Sequence, residues 1–118
     1  MSYNEKIKDV IDGSDVVIFM KGTPAFVMCG NSDRALQALR RAGAPVTAVD
    51  VLPDPQIRQD LTAVSGWPTI PQVFVKGELV GGADIVEELE QNGELGETLR
   101  AKLGEGYAES RAETSVSL

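Results

Sequence analysis

The chain reads as an α/β domain, a four-stranded mixed sheet with helices on both faces, on three observations. Val16-Val17-Ile18-Phe19-Met20 and Val46-Thr47-Ala48-Val49-Asp50-Val51 are strand-like runs separated by a helical pattern, the mark of a βαβ crossover with parallel pairing. Val73–Val75 and Glu78–Val80 flank Lys76-Gly77, which predicts a tight antiparallel hairpin. With 118 residues, 42% of them apolar, the chain suits one core and one domain.

Ser2-Tyr3-Asn4-Glu5 has the form of a capping box, after which Tyr3, Ile7, Val10 and Ile11 line one helical face up to Gly13. Val16–Met20 is apolar throughout, as a strand buried on both faces must be. Lys21 ends it, Gly22, Thr23 and Pro24 are turn chemistry, and Ala35, Leu36, Leu39 and Ala42 recur at helical spacing until about Arg41. Beyond the second strand, Asp54 and Pro55 are a cap and a first-turn proline, with Ile57, Leu61 and Val64 as the buried stripe. Ser65-Gly66-Trp67-Pro68-Thr69-Ile70-Pro71 leads into the third strand; Trp67 is either core filling or a lid over a site. After the hairpin, Gly81-Gly82-Ala83-Asp84 precedes a helix that Asp84 can cap, with Ile85, Val86 and Leu89 on one face. Leu95, Leu99 and Leu103 line a last helix ended by Gly104. Residues 1–104 are therefore taken as the domain, and the small, polar, aperiodic 105–118 as a flexible C-terminal tail.

Composition narrows the function. Eighteen acidic against eleven basic residues give a net charge of −7, which argues against nucleic acid and anionic membrane surfaces as partners. No run approaches the ~20 apolar residues of a membrane span. Met1-Ser2-Tyr3-Asn4-Glu5 has neither a basic flank nor an apolar signal core, so the expected location is the cytosol. A single cysteine forbids an intramolecular disulfide, and the absence of histidine excludes a Cys/His nucleophile pair and the common zinc sites. Any further sulfur ligand has to come from outside the chain.

That cysteine, Cys29, falls where the loop after the first strand delivers the chain into a helix. Unpaired N–H groups and the positive dipole end favour an anion there, so the thiol should ionise readily. Lys21 can add a second favourable charge if the loop folds back. A lone cysteine is otherwise a small buried hydrophobe.

Lys21-Gly22-Thr23-Pro24, Cys29-Gly30-Asn31-Ser32, Trp67-Pro68-Thr69-Ile70-Pro71-Gln72 and Gly81-Gly82-Ala83-Asp84 together resemble the monothiol glutaredoxins of the Cys-Gly-Phe-Ser type. The likeness runs from about Ser2 to Leu103. This chain departs from the family with Asn31 for the phenylalanine, Val27 for a proline two residues before the cysteine, and Ala83 for a frequent cysteine. The resemblance implies a thioredoxin-like fold in which Pro71 is cis and faces Cys29. It further implies a glutathione site, with Lys21 and Arg58 toward the glycyl carboxylate, Ile70 pairing with the tripeptide backbone, and Gly82 and Asp84 at the γ-glutamyl end. On its own, Arg58 reads as a solvated helix charge. Another low-molecular-weight thiol is the alternative to glutathione.

For the family, Cys29 is both the reactive thiol and the protein ligand of a [2Fe–2S] cluster, which two chains and two glutathiones would hold between them in a homodimer. Cluster transfer to iron–sulfur client proteins and pairing with a BolA-like protein belong to the same implied role. The alternative is an enzyme, a weak glutathione-dependent thiol–disulfide oxidoreductase that removes glutathione from proteins through Cys29.

Overall fold

The computed structural model describes residues 2–109 and 111–118; Met1 of the N-terminal stretch and Ser110 of the expected tail lie outside them. Ten elements and one 3₁₀ turn follow in order: α1 Asn4–Gly13, β1 Val16–Met20, α2 Gly30–Arg41, β2 Val46–Asp50, α3 Pro55–Ser65, β3 Gln72–Val75, β4 Glu78–Gly81, α4 Ala83–Gln91, α5 Glu94–Leu103, the 3₁₀ turn Tyr107–Glu109, and β5 Glu113–Val116. The sheet order is β4-β3-β1-β2-β5. β1 pairs parallel with β2, as the βαβ unit requires, and antiparallel with β3, which pairs antiparallel with β4 in the hairpin.

β1 is the centre, and its five side chains are all buried. Val16, Ile18 and Met20 pack with Leu36 and Leu39 of α2, Val86 of α4 and Leu95 and Leu99 of α5. Val17 and Phe19 pack on the other face with Ile7 and Ile11 of α1 and Ile57 and Leu61 of α3. Two core layers on one strand explain why its apolar run does not alternate. Phe19 meets Phe74 of β3 edge to face, with ring centroids 5.7 Å apart.

The cap of α3 forms as read, with the Gln56 N–H donating to Asp54 Oδ1 at 2.9 Å and Pro55 in the first turn. The capping box of α1 does not. Tyr3 is the residue before that helix and its side chain makes no capping bond; Ser2 Oγ accepts the Asn4 N–H at 3.0 Å rather than the N–H of Glu5. Instead the Tyr3 N–H donates to Asp60 Oδ2 and its hydroxyl to Asp54 Oδ2, both at 2.7 Å, so α1 is tied to α3 rather than to itself. Asp84 is likewise not a cap: Gly82 holds that position and Asp84 sits in the first turn of α4.

The expectation of four strands and a flexible 105–118 tail is corrected. Glu113–Val116 adds a fifth strand, parallel to β2, with Val46 opposite Glu113 and Val49 opposite Val116. Tyr107 donates its hydroxyl to Ala42 O at 2.8 Å, Arg40 forks onto Glu113 at 2.7 and 2.8 Å, and Val116 and Leu118 pack on the α1/α3 core layer. A short polar edge strand carries its information in the neighbour it pairs with, not in its own periodicity. Ending the chain after Glu109 should therefore cost about 1–2 kcal/mol, from lost ladder bonds and apolar cover. Urea unfolding followed by Trp67 fluorescence measures it. Among the described residues no helix is long and apolar enough to cross a membrane.

Candidate functional site

The loop between β1 and α2 folds on itself. Met28 N–H donates to Lys21 O at 2.9 Å, and Thr23 and Phe26 exchange backbone bonds at 3.2 and 3.0 Å. Gly22 N–H donates to Asp50 Oδ1 at 3.0 Å, which fixes the loop to the end of β2. Gly22 has φ +98°, and a Cβ there would run into the Phe26 carbonyl and lie 2.8 Å from Met28 N. The small closed loop turns Phe26 and Met28 out to solvent, 77% and 68% exposed. Large apolar side chains at that exposure are unusual on a surface that has no partner.

Cys29 is the N-cap residue of α2, in extended backbone and half-buried. The thiol closes no capping hydrogen bond, yet its pKa lies below the ordinary thiol value. The Ser32 backbone N–H contributes most; partial burial opposes it, and the Asn31 N–H, the Ser32 hydroxyl and the charge of Lys21 assist. Ser32 is wholly buried, and its Oγ accepts the Lys21 N–H at 3.1 Å, tying the loop to the helix it feeds. A depressed folded pKa means that the thiolate contributes stability above the unfolded thiol's pKa, lost as pH falls through the folded value. Alkylation of Cys29 by iodoacetamide should accordingly rise with pH at a lower midpoint in the native protein than in urea. Coincident midpoints would contradict this reading of the site.

A cleft of about 400 Å³ lies between the starts of α2 and α4, lined among others by Asn31, Trp67, Ile70, Pro71, Gly82 and Asp84; Cys29, two residues before Asn31, does not itself line it. The Ile70–Pro71 peptide is cis. Wholly buried Gln72 donates to Trp67 O at 2.8 Å and Thr69 O at 3.2 Å, which pins this loop from beneath. Trp67 is a half-buried wall of the cleft, and its indole N–H is buried without a partner. A Cβ on Gly82 would come within 3.3 Å of Pro71 O and 3.5 Å of the indole nitrogen, so a side chain there would crowd this wall of the cleft.

Of the residues singled out in the sequence, Ile70, Gly82 and Asp84 therefore meet in one cleft, which neither Lys21 nor Cys29 lines; the charge of Lys21 is the smallest of the influences that lower the Cys29 thiol. Arg58 does not line the cleft; it is exposed on α3, the helix that packs on the opposite face of the sheet from α2 and α4. A second recess of about 400 Å³, walled by Pro24, Ile57 and residues 115–118, is lined by no cation and no sulfur.

The sequence reading missed Arg34. It lies one turn from Asn31 and reaches across to α4, with Nε and Nη2 on Glu87 at 3.3 and 2.8 Å, Nη2 on Asp84 Oδ1 at 2.9 Å, and Nη1 on Asn31 Oδ1 at 3.2 Å. Glu87 and Asp84 push the Arg34 pKa up, and Arg34 in turn holds the Glu87 carboxyl below its ordinary range. Asn31, three residues before it on the same helical face, was the only local signal; both acidic partners are some fifty positions away.

Comparison with known proteins agrees with this geometry. The glutaredoxin family model matches residues 16–80. An uncharacterized ycf64-like monothiol glutaredoxin from Synechocystis is 48% identical over 98 residues, 83% of this chain and 92% of that one. Monothiol glutaredoxin-S11 of rice is 47% identical over 98 residues, and there the match spans 20% of the relative's own length. The solution structure of a monomeric truncated mutant of Trypanosoma brucei 1-C-Grx1 superposes with a TM-score of 0.77 at 44% identity, covering 86% of this chain and 92% of that one. With a single cysteine at the helix start, a cis proline beside the cleft and relatives of this kind, the chain belongs to the glutaredoxin family and, within it, to the monothiol glutaredoxins.

Proposed function

We propose that this protein binds glutathione, or a thiol of the same shape, across Cys29 and the adjoining cleft, and uses the pair to hold and pass on a [2Fe–2S] cluster. The observation that carries this reading is a half-exposed, thiolate-favouring Cys29 beside an open cleft in a chain with no other sulfur ligand to contribute but methionine. Among the described residues no group of three Cys, Asp or Glu is placed to take a metal ion, so a metal at Cys29 needs ligands from outside. A homodimer with one Cys29 and one bound thiol from each half fits that need.

The donor set suits such a cluster, because iron in it prefers thiolates and the protein supplies one already stabilised as the anion. When bound, the cluster is the cargo that an iron–sulfur client receives. Lys21 and Arg58 would hold the carboxylate at one end of the thiol, Ile70 its backbone, and Gly82 and Asp84 its amino-acid head. Exposed Phe26 and Met28 beside the thiol offer apolar contact to a second subunit, a BolA-like protein or a client.

The lowered thiol pKa supports a second reading as a thiol–disulfide oxidoreductase. The Cys29 thiolate attacks the glutathione sulfur of a mixed disulfide and the client leaves as its thiolate. A second glutathione thiolate then attacks the Cys29 adduct, releasing glutathione disulfide and restoring Cys29.

Anaerobic reconstitution with ferrous iron, sulfide and glutathione separates the two readings. Visible absorption of a bound cluster in wild type, lost when glutathione is omitted, is the result expected. A colourless protein that still removes glutathione from a test peptide would move the assignment to the enzyme.

A further inference from the structure

Arg34 is a fixed cation on the rim of the cleft. Glu87 grips it with two oxygens, on Nε and Nη2, so the guanidinium cannot swing away without breaking a fork-shaped pair. Its remaining contacts reach Asp84 Oδ1 at 2.9 Å and Asn31 Oδ1 at 3.2 Å, both residues of the cleft lining. Asp84 is 90% exposed on its side chain and Arg34 41%, so both remain open to an incoming molecule.

An exposed carboxylate alone at that position would select the ammonium of an amino-acid head. Next to a clamped guanidinium it does so less, because the arriving ammonium shares Asp84 with a like charge, although Glu87 offsets part of that charge, while an arriving carboxylate gains the one N–H of Nη1 left unbonded besides the first-turn N–H groups of α4. Resting on the groove proposed above as the thiol site, we propose that Arg34 tunes its head-group preference: it adds a donor for the thiol's head carboxylate and offsets part of the discrimination that Asp84 and Glu87 would exert for the ammonium. The substrate class includes thiols whose head carries a carboxylate with no free amine.

Two probes differ in the amine alone: reduced glutathione and glutaryl-cysteinyl-glycine, which keeps the head carboxylate. Titrating each into the full chain and into Arg34→Gln and Arg34→Lys, by isothermal calorimetry under reducing conditions, tests the idea. Wild type and Arg34→Lys should share the same modest preference for glutathione. Arg34→Gln should favour glutathione about threefold more than wild type does, the effect of one exposed charge contact. If Arg34→Gln leaves the wild-type ratio unchanged, the role of Arg34 is overturned while the groove stands. If wild type binds neither probe, the groove reading falls and this proposal with it. Arg34→Lys, with its charge kept, guards against a change caused by loss of the α2–α4 bridge alone: a ratio like that of Arg34→Gln would overturn the charge argument.

Discussion

Cys29→Ser will abolish both cluster retention and glutathione exchange while leaving the fold intact. A serine hydroxyl is a hard, protonated oxygen at neutral pH; it neither binds iron as a thiolate does nor attacks a disulfide. The side chain is half-buried and closes no capping bond, so the exchange removes no packed core contact. Stability should stay within about 0.5 kcal/mol of wild type. Serine is moreover a good N-cap residue, so α2 loses nothing at its start. Thermal unfolding with visible spectra of the reconstituted protein checks both halves together. A Cys29→Ser protein that still holds a cluster would mean that other atoms of the chain are the ligands.

Gly22→Ala should damage stability and site together. Its φ of +98° is left-handed backbone, and the added carbon would meet the Phe26 carbonyl and Met28 N, both main-chain atoms that have no rotamer to escape into. The loop must open, which breaks the Met28–Lys21 and Gly22–Asp50 bonds that set the approach to Cys29. A loss on the order of 2–4 kcal/mol is expected, with the alkylation midpoint moved to higher pH for a thiol no longer held against the first turn. Urea midpoints and the pH dependence of iodoacetamide alkylation measure it. A loss below about 0.5 kcal/mol would show the loop to be pliable.

Much of the fold was legible because β1 announces itself. Val16–Met20 is apolar without alternation, and only a strand between two helix layers needs that. Asp54-Pro55 and Lys76-Gly77 mark their helix and hairpin by chemistry that acts within four residues. β5 was illegible for the opposite reason: Glu113-Thr114-Ser115-Val116 is ordered by β2 and by Arg40, contacts that no local pattern records. The Tyr3 links to Asp54 and Asp60 were hidden in the same way.

At the site, a loop entering a helix was enough to place Cys29, and Lys21 turned out to act on it. Gly82 needs no left-handed backbone, since its φ of −95° suits any residue, and an added Cβ there would sit against Pro71 O and the Trp67 indole. Arg34 escaped because an arginine on a helix is ordinarily a solvated charge, and only the packing of α2 on α4 brings it to Asp84 and Glu87.

Native mass spectrometry of the anaerobically reconstituted protein bears most directly on the idea that one chain supplies one sulfur ligand and the rest arrive from outside. The expected species is two chains, one [2Fe–2S] cluster and two glutathiones, falling to apo monomer when glutathione is removed. A cluster carried by a single chain, or by a dimer free of any small thiol, would contradict it.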